Sequence, residues 1–102
     1  MSLTFFVEDE MHGRIRRFAD DAENSFLNLC RKAAADGSVV MDVIDPYTDT
    51  MLNYIQLDRL IAELAKTLDG PLAPNVRTIA QEVHKAAQEA REISGYLFIQ
   101  GD

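Results

Sequence analysis

Apolar residues recur every three or four positions in three stretches of the chain, and this spacing places them on one face of an α-helix. The predicted helices cover residues 11–35, 57–68 and 74–94. A glycine follows each stretch within two residues, and glycine is the residue that most often ends a helix in left-handed backbone. The sequence therefore predicts three amphipathic helices that each bury one face.

Four shorter runs of apolar, β-branched and aromatic residues lie outside these helices, as is typical of strands with at least one buried face. They cover residues 3–7, 39–44, 50–54 and 96–100. The predicted order is β-α-β-β-α-α-β, and residues 1–102 are expected to form a single domain. The predicted fold class is α+β, with a four-stranded, mainly antiparallel sheet and three amphipathic helices.

The second and third predicted strands are expected to form a hairpin. Asp45 and Pro46 end the second strand, because proline has no N–H to donate and disfavours helix at the residue before it. Residues 45–49 have the composition of a tight turn. The alternative is a helix that begins at about Thr48.

Helix packing accounts for only one face of this sheet. In the first and last strands, alternate residues are expected to point towards the helices: Leu3, Phe5, Val7, Leu97 and Ile99. Phe6, Tyr96 and Phe98 then point to the other face, which exposes more apolar surface than a monomer usually carries. Either one helix crosses to that face or a second copy covers it, so a homodimer is one of two alternatives.

The composition excludes several classes of protein. Apolar residues make up 47% of the chain, which is too high for a disordered segment. No apolar run is long enough to span a bilayer, and the N-terminus lacks the basic residues of a secretory signal. The single cysteine, Cys30, excludes an internal disulfide and fits a reducing, cytoplasmic location.

The formal net charge is −7. Basic residues supply most of the affinity for nucleic acids and for anionic membranes, so we expect neither as a partner. A basic protein partner is compatible with this charge. The alternative interpretation is that the charge keeps the protein in solution.

No combination of residues predicts catalysis. His12 and His84 are far apart in the sequence and have no cysteine nearby, so they do not match a metal-binding spacing. Cys30 lies on the apolar face of the first predicted helix, where a cysteine is expected to be buried and unreactive. Glycines occur singly, so no phosphate-binding loop is predicted. We expect a protein without enzymatic activity, cofactor or metal.

The basic residues are concentrated in the first predicted helix. Arg16 and Arg17 each lie four residues before an aspartate, Asp20 and Asp21 respectively, which is the spacing of ion pairs on a helix surface. The sequence therefore favours a solvated, ion-paired face over a phosphate-binding site.

The stretch from Asp36 to Asp58, called here the acidic segment, contains five aspartates and no lysine or arginine. Its tyrosines are potential anchors, since tyrosine is enriched among the residues that dominate binding at protein interfaces. Asp42 could instead be buried beside an arginine, and Asp45 and Asp49 could act only as turn residues. The predicted partner-binding residues are Asp42, Asp45, Tyr47, Asp49, Tyr54 and Asp58.

Two parts of the sequence carry a resemblance to known proteins: the run VIDPYTDTMLNYIQLDRLIAEL, from Val43 to Leu64, and the closing YLFIQGD. They resemble segments of small bacterial proteins that are similar to the immunity proteins of polymorphic or contact-delivered toxins. The resemblance implies stoichiometric binding to a basic toxin domain. It assigns no contact residues. A homodimeric structural or regulatory module is the alternative function, followed by a small-molecule binder.

Overall fold

Four antiparallel strands form one sheet in the computed structural model, which describes residues 3–101. The strands are β1 (Thr4–Glu8), β2 (Arg14–Ala19), β3 (Thr50–Leu52) and β4 (Tyr96–Gln100). Their order across the sheet is β2-β1-β4-β3. The central pair joins the two ends of the chain, since Thr4 pairs with Gln100 and Glu8 with Tyr96.

Three helices accompany the sheet: α1 (Ser25–Ala35), α2 (Tyr54–Leu68) and α3 (Pro74–Glu92). Helix α3 is the central one, because it packs against both other helices and against β1 and β4. The predicted fold class is therefore confirmed: the protein is α+β, with four antiparallel strands and three amphipathic helices.

The core lies between the helices and one face of the sheet. The alternation predicted for the first and last strands along the chain, β1 and β4, is confirmed. The residues expected to face the helices are all almost completely buried: Leu3, Phe5, Val7, Leu97 and Ile99. The Phe5 ring stacks on Phe18 with 4.8 Å between ring centroids and meets Phe26 edge-on at 5.4 Å. These aromatic contacts link β1, β2 and the first turn of α1.

The helix predicted over residues 11–35 is wrong in its first half, where the structure has a tight turn and β2. His12 has positive φ (63°), and the Asp9 carboxylate accepts hydrogen bonds from the N–H groups of Met11 and Gly13. This turn lets the chain double back, so that β2 pairs with β1. The backbone of β1 thereby gains a hydrogen-bonded neighbour on that side, which a helix could not supply.

The strand predicted over residues 39–44 is also wrong. Residues 41–43 form a single 3-10 turn, and the N–H groups of Val39, Val40 and Met41 bond to a carboxylate of α2 instead of a neighbouring strand. No hairpin forms with β3, which pairs with β4. The strand β2 supplies the fourth strand, so the order along the chain is β-β-α-β-α-α-β.

The predicted end of α2, at Leu68, and the predicted start of α3, at Pro74, are confirmed, whereas the strand predicted over residues 50–54 ends at Leu52. Helix α2 begins at Tyr54, three residues before the predicted start, because the Asn53 side chain accepts from the N–H of Gln56 while the Gln56 side chain accepts from the N–H of Asn53. This reciprocal capping box satisfies two otherwise unpaired donors. Helix α3 starts at Pro74, whose missing N–H carries no penalty in the first turn.

The start of α1 depends on two aspartates that were predicted to pair with arginines. The Asp20 carboxylate accepts from the N–H groups of Phe26 (3.0 Å) and Leu27 (3.1 Å), and Asp21 accepts from that of Ser25 (2.9 Å). Burial raises the pKa of Asp20, although these N–H groups oppose the rise. The predicted ion pairs are therefore wrong, and both carboxylates cap the helix instead.

The end of α3 offers a stabilising substitution. Ser94 has φ 55°, and the next residue, Gly95, donates its N–H to the carbonyl of Ala90 at 2.8 Å. Left-handed backbone is unfavourable for serine, so we expect Ser94→Gly to raise the free energy of unfolding by about 0.5–1 kcal/mol. Urea denaturation measures this change. Ser94→Ala is the control and should change stability by less than about 0.5 kcal/mol; a destabilised glycine variant would contradict the prediction.

Candidate protein-binding surface

The face of the sheet opposite the helices is covered by side chains of β1, β2 and the turn between them. The Arg14 guanidinium lies 4.0 Å from the centroid of the Phe6 ring, which is only 7% exposed. His12 stacks on Tyr96 with 4.4 Å between ring centroids. The buried Glu8 carboxylate lies 3.1 Å from His12 Nδ1 and 3.5 Å from Arg14 Nε. All three helices contribute to the core on the other face, together with Leu3, Phe5 and Val7, and on this face long cationic side chains cover part of the apolar surface.

All four predicted aspartates are exposed. Asp42 lies in the 3-10 turn, Asp45 accepts from the N–H of Tyr47 (2.8 Å) and Asp49 accepts from that of Gly101 (3.1 Å). These partners are backbone groups, which carry no compensating charge. No salt bridge involves these three aspartates in the part of the chain that the structure describes. Their negative charge is therefore available to a partner.

Asp58 differs from the other predicted residues because its charge is compensated. Its Oδ1 atom lies 2.7 Å from Arg91 Nε of α3, and this hydrogen bond raises the pKa of Arg91. The Arg91 guanidinium carbon also lies 5.6 Å from the centroid of the Tyr54 ring. Tyr54 and Asp58 thus belong to a surface cluster on α2 and α3. The other predicted residues, Asp42, Asp45, Tyr47 and Asp49, lie in the connection between α1 and β3.

Large apolar side chains are exposed along the same segment. Among residues 3–101, nine large apolar side chains are exposed, and six of them fall between Val39 and Ile55. Tyr47 and Ile55 are 66% and 63% exposed. The complete group within this segment is Val39, Val43, Tyr47, Met51, Tyr54 and Ile55. Apolar side chains rimmed by uncompensated charge are typical of protein interaction surfaces.

A groove of about 920 Å³ lies beside this segment, between α1 and α2. One wall is a row on α2, and the other is formed by the second half of α1 and the turn after it. The α2 row is Ile55, Asp58, Arg59, Ala62, Glu63, Lys66 and Thr67, and the α1 side includes Leu29, Lys32, Ala33 and Asp36. The sequence does not predict this groove, although the α2 residues that line it recur every three or four positions on a face beside the buried one.

Glu63 holds the acidic segment in place. Its carboxylate accepts from the N–H groups of Val39 (3.0 Å), Val40 (3.1 Å) and Met41 (3.1 Å), and Arg59 Nε lies 3.4 Å away. Burial alone would raise the pKa of Glu63, but these hydrogen bonds outweigh it and lower the pKa below its ordinary value of 4.5. The segment is therefore fixed to α2 at this point, with its aspartates facing outwards.

The residues considered for catalysis have other surroundings. Burial raises the pKa of the Cys30 thiol well above its usual range, which suppresses the reactive thiolate. His84 is half-buried on α3, and His12 is engaged with Glu8 and Tyr96. Within residues 3–101, no group of three or more His, Cys, Asp or Glu side chains is placed to hold a metal ion. None of the helices in this range has the length and apolar character needed to cross a membrane.

Comparisons with protein-family models, with curated proteins and with solved structures found no match for this chain. The candidate surface is therefore defined by its own geometry, exposure and charge.

Proposed function

We propose that the domain is a non-catalytic protein-binding module that engages a basic partner through the acidic segment. The observation that supports this most directly is the coincidence of two properties in one stretch. The aspartates Asp42, Asp45 and Asp49 have no compensating cation among the described residues, and most of the exposed large apolar side chains lie between Val39 and Ile55. The apolar side chains would supply affinity, and the charges would speed association and select the partner.

A basic toxin domain fits this chemistry and would make the protein an immunity protein or antitoxin. Such a protein acts by stoichiometric binding, so it needs a complementary surface and no catalytic group. Tyr47 and Tyr54 are the proposed anchors, because a tyrosine buries a large, rigid area and retains a hydroxyl for hydrogen bonding. The proposed charge contacts are Asp42, Asp45 and Asp49. Asp58 is also a proposed contact residue, together with the Arg91 side chain that it binds.

The homodimer remains an alternative proposal. This proposal is based on the apolar area expected on the second face of the sheet. That area is smaller than expected, because Arg14 covers Phe6 on that face. Met51 is exposed at the edge of the same face, where it pairs with Phe98. Sedimentation equilibrium at high protein concentration distinguishes the two proposals: a monomer removes the homodimer and leaves the binding module.

The test of the binding proposal neutralises charge without removing hydrogen-bond acceptors. A partner is first identified by affinity capture from the native cell and then purified. We expect the triple variant Asp42→Asn/Asp45→Asn/Asp49→Asn to bind it about tenfold more weakly at low salt, mainly through slower association. Isothermal titration calorimetry and stopped-flow mixing measure the two effects.

The matched control removes the same amount of charge elsewhere. Glu10, Asp69 and Glu92 are exposed acidic residues outside the acidic segment, and their triple amide variant should bind the partner with an affinity within about twofold of the parent. Equal losses in both triple variants would indicate a general charge effect. Unchanged affinity in the acidic-segment variant would rule out this surface.

A further inference from the structure

We propose that the free edge of β2 binds an extended, acidic segment of a partner protein, which adds to the sheet as a fifth strand. Strand β2 is an outer strand, because the order across the sheet is β2-β1-β4-β3. The acidic segment contains β3, which lies at the opposite edge. This inference therefore concerns a second surface and does not depend on the proposed function.

Strand β2 has unpaired backbone groups along its outer edge. The N–H of Asp20 donates to the carbonyl of Leu3 at 2.9 Å, so the backbone groups of Asp20 point towards β1. Successive residues of an antiparallel strand direct these groups to opposite sides, so those of Phe18 also point towards β1, whereas those of Arg17 and Ala19 point away from it. Within residues 3–101, β2 pairs with β1 alone. Arg17 and Ala19 therefore offer two donors and two acceptors to a further strand.

This edge is open to solvent. Arg17 and Ala19 are both exposed, and Phe18 between them is only partly buried. A strand that adds to an open sheet edge gains affinity from main-chain hydrogen bonds and selectivity from its side chains. The other outer strand, β3, has only three residues and offers fewer backbone groups. Strand β2 is therefore the better template for an added strand.

The charges of β2 favour an acidic strand. Three of its six residues are arginines, and none is acidic. Two of the arginines already lie near carboxylates, since Glu8 is 3.5 Å from Arg14 Nε and Glu89 is 3.4 Å from Arg16 Nε. The third, Arg17, makes no salt bridge with any residue from 3 to 101. Its charge is therefore available to an acidic residue on a neighbouring strand.

Arg16 supplies a second argument for an acidic strand. Its side chain lies on the helix-facing side of the sheet, where its guanidinium carbon is 4.9 Å from the centroid of the Phe18 ring. The Nε and Nη2 atoms are buried, and in the described part of the chain neither donates a hydrogen bond, not even to Glu89. Buried N–H groups without an acceptor are unfavourable. A carboxylate on an added strand would supply one, because neighbouring strands place Cβ atoms about 4.5–5.5 Å apart.

The same arginines disfavour a second copy of β2 at this edge. Two β2 strands side by side would bring Arg16 and Arg17 of one copy close to those of the other, and like charges across a strand pair are destabilising. Charged side chains on edge strands commonly prevent such pairing. An acidic strand meets no such repulsion. Because the two arginines lie on opposite faces, the expected segment has acidic residues at two adjacent positions, flanked by β-branched residues.

The test uses a phage-displayed library of random 12-residue peptides selected on the folded domain. We expect the selected peptides to combine adjacent acidic residues with β-branched neighbours. When a synthetic version is added, amide hydrogen exchange measured by NMR should slow at Arg17 and Ala19, because their N–H groups gain acceptors. Exchange at Asp20 should change much less, since its N–H already donates to Leu3.

Two substitutions test the charge and the backbone of this edge separately, with fluorescence anisotropy of the labelled peptide as the measurement. Arg17→Glu should weaken binding about fivefold or more at low salt, because it replaces attraction by repulsion. Ala19→Pro removes one outward N–H and should weaken binding about tenfold or more. Proline is tolerated on an edge strand where the lost N–H faces solvent, and circular dichroism checks the fold of this variant. Arg31→Glu, the same charge reversal at an exposed position of α1, is the control and should change affinity by less than about twofold.

The inference is overturned if no peptide is selected, if exchange at Arg17 and Ala19 is unchanged by the peptide, or if Arg17→Glu binds as tightly as the parent. It is also overturned if the domain self-associates and Arg17→Glu, but not Arg31→Glu, abolishes that association, because a second copy would then lie at the edge. The triple asparagine variant of the acidic segment should bind the peptides as tightly as the parent. Failure of this inference therefore leaves the proposed function unaffected, and the reverse also holds.

Discussion

Gly95→Ala is expected to lower the free energy of unfolding by about 3–5 kcal/mol, the largest loss of any substitution considered. A Cβ atom at this position would overlap the carbonyl oxygen of Glu8 and would lie 3.1 Å from the Cα atom of Asp9. Both contacts are with the backbone of the neighbouring strand β1 and the turn that follows it, so no flexible side chain can move aside. The strands must separate locally, and the pairing of Glu8 with Tyr96 is weakened.

Thermal denaturation followed by circular dichroism measures this loss, which should lower Tm by about 15 °C or more in a domain of this size. Gly70→Ala is the matched control. Its Cβ atom would lie 3.5 Å from the carbonyl oxygen of Thr67, which is an ordinary contact, and we expect a change of less than about 1 kcal/mol. Equal stability of the Gly95 variant and the parent would show that β1 and β4 do not approach as closely as described.

Glu63→Gln is expected to lower the free energy of unfolding by about 2 kcal/mol. The carboxylate uses both oxygens to accept from three consecutive backbone N–H groups, and an amide has only one oxygen to offer them. Its NH₂ group would face at least one N–H donor. The segment around Met41 should then become mobile, because this carboxylate is its main polar link to α2. Urea denaturation measures the loss, and hydrogen exchange at residues 39–41 locates it.

The contribution of Glu63 depends on pH in a direction set by its lowered pKa. Because the pKa in the folded state lies below the ordinary value of 4.5, the charged form stabilises the fold at pH values above 4.5. The stabilisation is lost as the pH falls through the pKa of the folded state. The difference in stability between the parent and Glu63→Gln should therefore be constant near neutral pH and shrink in acid. Asp20, whose pKa is raised by burial, is present in both proteins. Its contribution to the pH dependence of stability therefore largely cancels in this difference.

Glu92→Gln is the control for Glu63→Gln, because it makes the same change on an exposed position of α3. It should alter stability by less than about 0.5 kcal/mol and show no comparable dependence on pH. A difference between the parent and Glu63→Gln that grew as the pH fell would contradict the role assigned to this carboxylate.

Elements whose boundaries are marked locally could be predicted from the sequence. Helix α3 has a proline at its start, a glycine after its end and continuous apolar spacing between them, and β4 follows directly. The alternation of buried and outward residues in β1 and β4 was also predictable, because it depends only on the two-residue period of a strand. Fold class followed from these elements without knowledge of their pairing.

The second strand could not be placed because its apolar residues have helical spacing and not the two-residue spacing of a strand. Ile15, Phe18 and Ala22 recur every three or four positions, whereas in β2 Ile15 is exposed and Phe18 lies on the opposite face, where it stacks on Phe5. The deciding contacts are the pairing with β1 and the turn at His12 and Gly13, and sequence spacing shows neither. Tertiary contacts therefore overrode local periodicity in this region.

The error at residues 39–44 has a different cause. These residues have strong strand preference, but their backbone donors are taken by Glu63, which lies more than twenty residues away in the sequence. The predicted aspartates and tyrosines are exposed even though residues 39–44 do not form a strand. Their exposure depends on the position of the segment at the surface and not on its backbone conformation. The groove was missed because it depends on the separation of two helices, which no single stretch of sequence encodes.

The position of β4 in the middle of the sheet has a consequence for biosynthesis. Residues 96–100 must emerge from the ribosome before β1 and β3 can gain their shared neighbour, and Thr4 meets Gln100 across nearly the entire described chain. Before then, the contacts among the preceding elements, such as the β1–β2 hairpin and the α2–α3 pair, do not depend on β4. The sheet can therefore be completed only after residues 96–100 have been synthesised, and its central pairing has a large sequence separation, which is typical of slow-forming contacts.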